Sequence, residues 1–583
     1  MRLLVFVYCL AALHGQVRRP EAAAYAAPDV AAIAGKSGDL RDVVERFSTD
    51  EASLQRFYTL PGSAATLGAM RGFYGSWRDA LGKLNFESLG LEGKIDFVLL
   101  QNLVRYELRQ LVEVKRRQDE MMHLLPFATM VTDLHEARVR VDPMDPAKVA
   151  ARLDGMAKQL AKPVTECRAK ASDCPEKRTV ANRAARVTAE YRTVLKNWFE
   201  FYNEYDPLFT WWVAEPYKRL DAALGRYAEE LREKRAGVAK GDRDTIVGDP
   251  IGREALLLEL ENEMIPYTPE ELVEIAKQEF VWCDREMLKA SRELGFGDDW
   301  KKALEHVKTL HVEPGKQTAL IVEQAVEAIE FVEKHNLLTV PALARDVWRV
   351  QMMSPERQRV NPFFLGGESI IVSFPTSTMT HEQKMMSMRG NNIHFAHATV
   401  FHELIPGHNL QMFMGQRYRP YRRAFRTPFW MEGWALYWEF LLWDMGFHKT
   451  PENRIGALFW RMHRCARIIF SLSFHLEKMT AAEAVDFLVE RVGHERENAA
   501  AEVRRSFETD YSPLYQVAYM MGGLQIRALH EELVKSGKMT NREFHDRILQ
   551  GNSMPIAMVR ASLMGQAPSR DYRPQWRFYG GLR

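Results

Sequence analysis

The sequence predicts a mainly α-helical protein with one small β element. Three observations carry this. Apolar residues recur at helical spacing along most of the chain, as at Ile95, Leu99, Leu103 and Tyr106. Helix-start signals recur as well, a threonine followed three positions later by glutamate at Thr268, Thr480 and Thr540. One stretch alone breaks the pattern: GGESIIVSFPTST is β-rich and bounded by Gly366-Gly367 and Pro375.

The elements follow in chain order. MRLLVFVYCLAALHG carries one basic residue and then an apolar run from Leu3 to Leu13. The run is too short to span a bilayer and has the length of a signal-peptide hydrophobic region. Residues 1–24 are therefore expected to be an export signal and a disordered start, leaving a periplasmic or extracellular protein. A buried first helix is the alternative. Gly15 and Ala22–Ala24 both offer small residues for cleavage; Cys9 lacks the small residues a lipoprotein site places before it. Residues 25–240 read as an N-terminal helical region. Within it, Cys167 and Cys174 flank a polar loop, where a disulfide and two free thiols are both open readings. The Gly- and Asp-rich stretch AGVAKGDRDTIVGDPIG, Ala236 to Gly252, reads as a loop leading into a second region, 241–583. There TPEELVEIAKQEFVWCDREMLKASRELG has a Thr268 cap, Pro269 in the first turn and a stop at Gly295. Cys283 and Cys465 lie in apolar helical patterns and read as core. The β-rich stretch is either a strand that pairs with an extended substrate or a short structural hairpin.

Composition excludes some functions. The 583 residues are 46% hydrophobic and 27% charged, as in soluble globular proteins. A net charge of +2 favours neither nucleic acid nor an anionic membrane as the main partner, and no stable membrane insertion is expected.

Chemistry concentrates in TVFHELIPGHNLQMF, Thr399 to Phe413. His-Glu occurs five times, at His135, His381, His402, His494 and His530, so the dipeptide alone means nothing. His381, His494 and His530 read as solvated helix faces. In a zinc-peptidase helix the second histidine follows the first by four residues, on the same face. Here His408 follows His402 by six, roughly 240° around an unbroken helix. Two of the intervening residues are Pro406 and Gly407. Proline offers no N–H to the preceding turn and pushes it open, and glycine accepts unusual backbone angles. A bulge there returns His408 to the metal face. A carboxylate is a common third ligand. PFWMEGWALYWEFLLWD places Glu432 and Glu439 in a helix apolar enough to be buried, where carboxylates are rare unless paired or metal-bound. Glu432 suits a ligand, with a salt bridge to an arginine of the preceding loop as its alternative. Glu439, two turns on, suits a group that hydrogen-bonds a ligand histidine.

FHELIPGHNLQ, EGWALYWE and EVRRSFETDYSPLYQVAYMMGG, in that order, resemble the bacterial domain-of-unknown-function family 885, whose pattern runs H-E-x-x-P-G-H, E-G-W-A-L-Y and a late P-G-Q-A-x-x-Y-x-x-G. The resemblance covers most of the chain after Ile251. It implies a helical, zincin-like metallopeptidase in which a large N-terminal helical portion flanks a deep cleft. The helical peptidases related to angiotensin-converting enzyme are similar in layout. Carried over, His402, His408 and Glu432 bind zinc, and Glu403 is the general base. The late motif departs at Leu514-Tyr515, while Tyr519 and Gly522 still align. Tyr519 is then the candidate donor to the oxyanion, with a core tyrosine as its alternative, and Tyr515 is an extra.

The expected function is zinc-dependent hydrolysis of short or unfolded peptides by activated water. Two alternatives remain: a zinc esterase or amidase on the same site, and a catalytically silent peptide- or metal-binding protein, which has no use for Glu403. His394 and His397 read as pocket wall or core, with His397 near enough to be a rival ligand. Arg422, Arg423 and Arg426 read as a solvated basic loop, or as a site for a substrate carboxylate. Met385-Met386 and Met520-Met521 read as core fillers.

Overall fold

A computed structural model describes residues 25–34, 38–60, 62–164, 176–242, 244–358, 363–509 and 511–580. The expected export segment and Cys167 and Cys174 lie outside the described residues. Regular structure is overwhelmingly helical, and the one sheet among the described residues has two short strands. Among the described residues no helix is long and apolar enough to cross a membrane.

The chain forms two compact units. The first comprises Met1–Ala27, Glu51–Trp77 and Leu108–Thr245; the second comprises Pro28–Asp50, Arg78–Glu107 and Ile246–Arg583. The division after Thr245 lies within the stretch Ala236 to Gly252, and two early segments belong to the second unit. In the first unit Asp145 and Asp206 each cap a helix, Pro146–Leu160 and Pro207–Glu230, by accepting two backbone N–H groups. Trp198, fully buried on the Arg178–Tyr202 helix, meets Phe209 edge-on at 5.2 Å. Such pairs add about 0.5–1.5 kcal/mol beyond burial.

The second unit carries the candidate site. Thr268 forms a full capping box with Glu271 and starts the helix Pro269–Glu293. That helix packs against the long helix Pro451–His475, where Cys283 and Cys465 are buried free thiols, core as expected. Thr480 forms a second capping box, and Thr540 caps the helix Asn541–Gly551. Met520 and Met521 are buried, but Met385 is exposed and Met386 is only half-buried, so that pair is not core filler.

The β-rich stretch yields the strand Ser369–Val372. It pairs in parallel with Arg349–Met352, and among the described residues its one antiparallel contact is the single Leu365–Ile371 bridge. Ile370 and Val372 are buried in one cluster with Val400 and Leu404, next to the histidine motif. The other edge is taken at Ile371, whose N–H and C=O both bond Leu365. That edge is therefore closed there to a substrate backbone.

Candidate metal centre

The first histidine sits at the end of the helix Ile393–Glu403, whose N-cap Asn392 accepts from the N–H groups of His394 and Phe395. The helix stops at Glu403, and a new one, His408–Gly415, begins at the second histidine. Between them the Gly407 N–H donates to the Phe401 carbonyl at 3.0 Å, and the Asn409 N–H to the Leu404 carbonyl at 3.1 Å. A Cβ on Gly407 would lie 1.8 Å from the His402 carbonyl oxygen, so no side chain fits. The Trp434 indole N–H donates to the Pro406 carbonyl at 2.9 Å and ties the detour to the Glu432 helix. The detour returns His408 to His402: their rings lie 4.9 Å apart and nearly perpendicular.

Glu432 comes from the helix Pro428–Asp444, started by Thr427 and Pro428. Its Gly433 meets Gly522 of the helix Tyr515–His530; a Cβ on Gly433 would lie 2.5 Å from the Gly522 Cα. This backbone-to-backbone approach carries Tyr515 and Tyr519 up to the site.

His408 Nε2 is 3.1 Å from Glu432 Oε2, and His402 Nε2 is 3.8 Å from the same oxygen. One donor atom from each residue lies within 4.8 Å of the others. His402 Nδ1–H donates to Glu439 Oε1 at 2.7 Å, which turns Nε2 towards Glu432. The Tyr515 hydroxyl donates to the other oxygen of Glu432. Two nitrogens and one oxygen on a tetrahedral zinc stand about 3.4 Å apart. The donor set therefore fits such an ion in residue type; the 3.1 Å pair would open and the wider separations, up to 4.8 Å, would close to bind it. Among the described residues it is the one cluster of this kind.

The electrostatics suit a cation. Burial opposes the charge on Glu432, but His408 and His402 hold its carboxyl well below the usual range. Burial also opposes a proton on His402, yet contacts with Glu432 and Glu439 outweigh it and raise the imidazole to about 9. Burial and the nearby Glu432 push the Tyr519 phenol up to about 12, so it stays protonated at neutral pH.

These residues open on a cavity of about 540 Å³, within the range of small-molecule sites. His402, Glu403, His408, Glu432, Tyr515 and Tyr519 line it, and the loop at Gly366-Gly367 forms part of its wall. The Tyr519 ring lies parallel to His402 at 6.3 Å.

Several residues stand elsewhere than expected. His397 hydrogen-bonds Glu327 and His448, stacks on Phe447 and does not line the cavity; His394 bonds Asn453. Arg422 is not solvated. It is fully buried against Asp96 and Glu92, while Arg423 and Arg426 are exposed on the cavity wall. Glu432 makes no salt bridge to that loop; its partners are the two histidines and Tyr515. Of the other His-Glu pairs only His381 is exposed. His494 is buried against His463 and Phe459, and His530 against Tyr437 and Phe544.

Sequence reasoning passed over Arg464, Arg467 and Arg505, which also line the cavity. A signal was present. Arg461, Arg464 and Arg467 recur every third residue in an otherwise apolar helix, and buried arginine calls for the same scrutiny as buried glutamate.

Fold and site together define an α-helical protein with a buried two-histidine, one-glutamate donor set at a cavity. The chain belongs to the family described as bacterial protein of unknown function (DUF885), which it matches over residues 60–563. No curated protein matches it. Its fold is similar to a candidate lipoprotein of unknown function from Shewanella oneidensis, with TM-score 0.66 and 18% identity over 90% of this chain and 99% of that one. It is also similar to a candidate lipoprotein from Colwellia psychrerythraea, with TM-score 0.57 and 15% identity over 90% and 97%.

Proposed function

We propose that the protein is a zincin-like, zinc-dependent peptidase acting on short or unfolded peptides. The observation that carries this reading is the convergence of His402, His408 and Glu432, with Glu403 next to the first histidine on the wall of the same cavity. The two histidines and Glu432 would hold the ion. Zinc supplies Lewis acidity there, acidifying water and polarising a scissile carbonyl. Glu403 takes the proton from the attacking water and delivers it to the leaving nitrogen. Tyr519 donates its O–H to the oxyanion that develops on the carbonyl. Glu439 keeps His402 in the required tautomer, and Tyr515 orients Glu432. An exported location is part of the same proposal. It is supported by the apolar run behind Arg2 and by the lipoprotein descriptions of the two structural relatives.

The test pairs elemental analysis with a peptide-library digest read by mass spectrometry. One zinc per chain and chelator-sensitive, zinc-restored cleavage are expected. Purified protein that retains no transition metal after zinc supplementation sinks the metal site. Zinc-loaded protein that leaves every peptide intact sinks the peptidase reading.

A further inference from the structure

We infer that Arg464, Arg467 and Arg505 form a subsite for a carboxylate of the bound peptide; this rests on the peptidase reading above. The three side chains come from two helices, Pro451–His475 and Arg496–Glu508, and all reach the cavity that holds the candidate metal centre. Arg464 and Arg467 are 5% and 2% exposed, and the Arg505 side chain is 11% exposed.

The first argument is charge balance. Three buried guanidinium groups face two carboxylates. Arg467 Nε is 2.7 Å from Glu502 Oε1, and Arg505 stands 4.0 Å from that carboxylate. Arg464 reaches Glu439 at 3.3 Å, but Glu439 already accepts from His402. The nearby histidines add no charge: burial holds His463 well below its ordinary value and His494 at about 3, so both are neutral. One positive charge is left over, and a buried charge without a counter-charge is costly. A peptide carboxylate carries the one negative charge needed.

The second argument is unmet hydrogen bonding. Arg464 Nε, Arg467 Nη1 and Arg505 Nε are buried without a partner. Guanidinium forks match a carboxylate in geometry, often with two parallel bonds. The third argument is placement. The guanidinium carbons of Arg464 and Arg467 lie 4.7 and 4.4 Å from the Tyr519 ring centroid, and that ring is the one stacked beside His402. Arg505 packs over Tyr511, which also lines the cavity. The subsite therefore adjoins the reacting centre, and a substrate anchored there presents a peptide bond close to its carboxylate end. Cleavage near the C-terminus follows if the carboxylate is the terminal one. Cleavage beside aspartate or glutamate follows if it is a side chain.

Zinc-loaded Glu403→Gln protein separates binding from turnover. Three N-acetylated pentapeptides are titrated by calorimetry: a neutral sequence as free acid, the same sequence as C-terminal amide, and an amide bearing one glutamate. The free acid or the glutamate amide, whichever supplies the anion, should bind about 10- to 100-fold tighter than the neutral amide. In Glu403→Gln/Arg505→Gln that ratio should fall towards one, and Arg505→Lys should keep part of it. Reading a ratio guards against a folding defect, which weakens all three peptides alike. Equal binding of all three overturns the subsite. So does a preference that survives Arg505→Gln, because a carboxylate coordinating the zinc itself would behave that way. Cleavage of acid and amide alike by the wild-type protein, with no binding preference, leaves the peptidase standing without the subsite. A clear carboxylate preference with no cleavage of any peptide leaves the subsite standing without the peptidase.

Discussion

Two buried ionic clusters in the second unit look alike from their residue types and differ in one respect. Around Arg422 every guanidinium nitrogen is engaged: Nε with Asp96 at 2.7 Å, Nη2 with Glu92 at 2.6 Å and Nη1 with the Gly551 carbonyl at 3.0 Å. Tyr421 donates to the remaining oxygen of Asp96, and Ser562 donates to Glu92. The cluster is closed. Around Glu432 the arrangement is open. Two imidazole nitrogens face one carboxylate oxygen, the outer atoms are tied down by Glu439 and Tyr515, and the inner atoms converge at a cavity wall. A buried charge by itself therefore separates nothing. A partner set that closes on itself marks structure, and one left converging on a point marks a place for something else.

The largest expected effect breaks the open cluster. Glu403→Gln keeps shape but cannot take a proton, so peptide turnover should fall about a hundred- to ten-thousand-fold with zinc content unchanged. Glu432→Gln should lose the zinc itself. Elemental analysis beside rate measurement decides; the reverse pattern means the two carboxylates are assigned the wrong way round.

Breaking the closed cluster should act on folding instead. Arg422→Met leaves Asp96 buried without its cation, while Glu92 keeps Arg419, at a cost of about 3–5 kcal/mol. Urea unfolding should show that loss, while the folded fraction still binds one zinc. Loss of zinc from well-folded Arg422→Met would show that the two clusters are coupled.

The two tyrosines sharpen the contrast within the open cluster. Tyr519→Phe removes an oxyanion donor and should lower kcat about a hundred- to a thousand-fold with zinc affinity intact. Tyr515→Phe releases one oxygen of Glu432 and should weaken zinc about ten- to a hundred-fold. Competition with a chelator reads the second effect. Equal zinc affinity in Tyr515→Phe and wild type would mean that Tyr515 does not orient the ligand.

What was legible in the sequence follows the same divide. His402, Glu403, His408 and Glu432 fall in three successive helices, 24 residues separating the last two, so helical geometry and the Pro406-Gly407 pair were enough to bring them together on paper. Mainly helical structure and the capping boxes were legible for the same reason: each signal lies within one or two turns. Arg422 was misread as solvated because its partner Asp96 is 326 residues away, and no local pattern reports such a pair. The parallel pairing of Ser369–Val372 was hidden because its partner Arg349–Met352 is largely exposed and lacks the apolar alternation of a buried strand. His494 and His530 were misread because a dipeptide says nothing about the aromatic side chains that later surround it.

The most gradual expected effect, about tenfold for each pH unit, is a pH dependence of zinc loading. In the metal-free protein Glu432 and Glu439 raise His402 to about 9 despite burial, so at neutral pH this imidazole carries a proton. Zinc needs the same Nε2 lone pair, and entry of the metal must expel that proton. Apparent zinc affinity should therefore rise with pH by about tenfold per unit between pH 7 and 9, then level off above about 9. Glu439→Gln removes one of the groups that raise His402, so its affinity curve should flatten at lower pH. The measurement is zinc titration against a chelator of known pH behaviour, with proton release read calorimetrically in buffers of different ionisation enthalpy. At Arg422, where no lone pair faces a neighbour, the same titration should register nothing in either direction. Zinc affinity that is flat from pH 7 to 9, with no proton released, would mean that the metal does not displace a proton from His402, and the ligand assignment would fall with it.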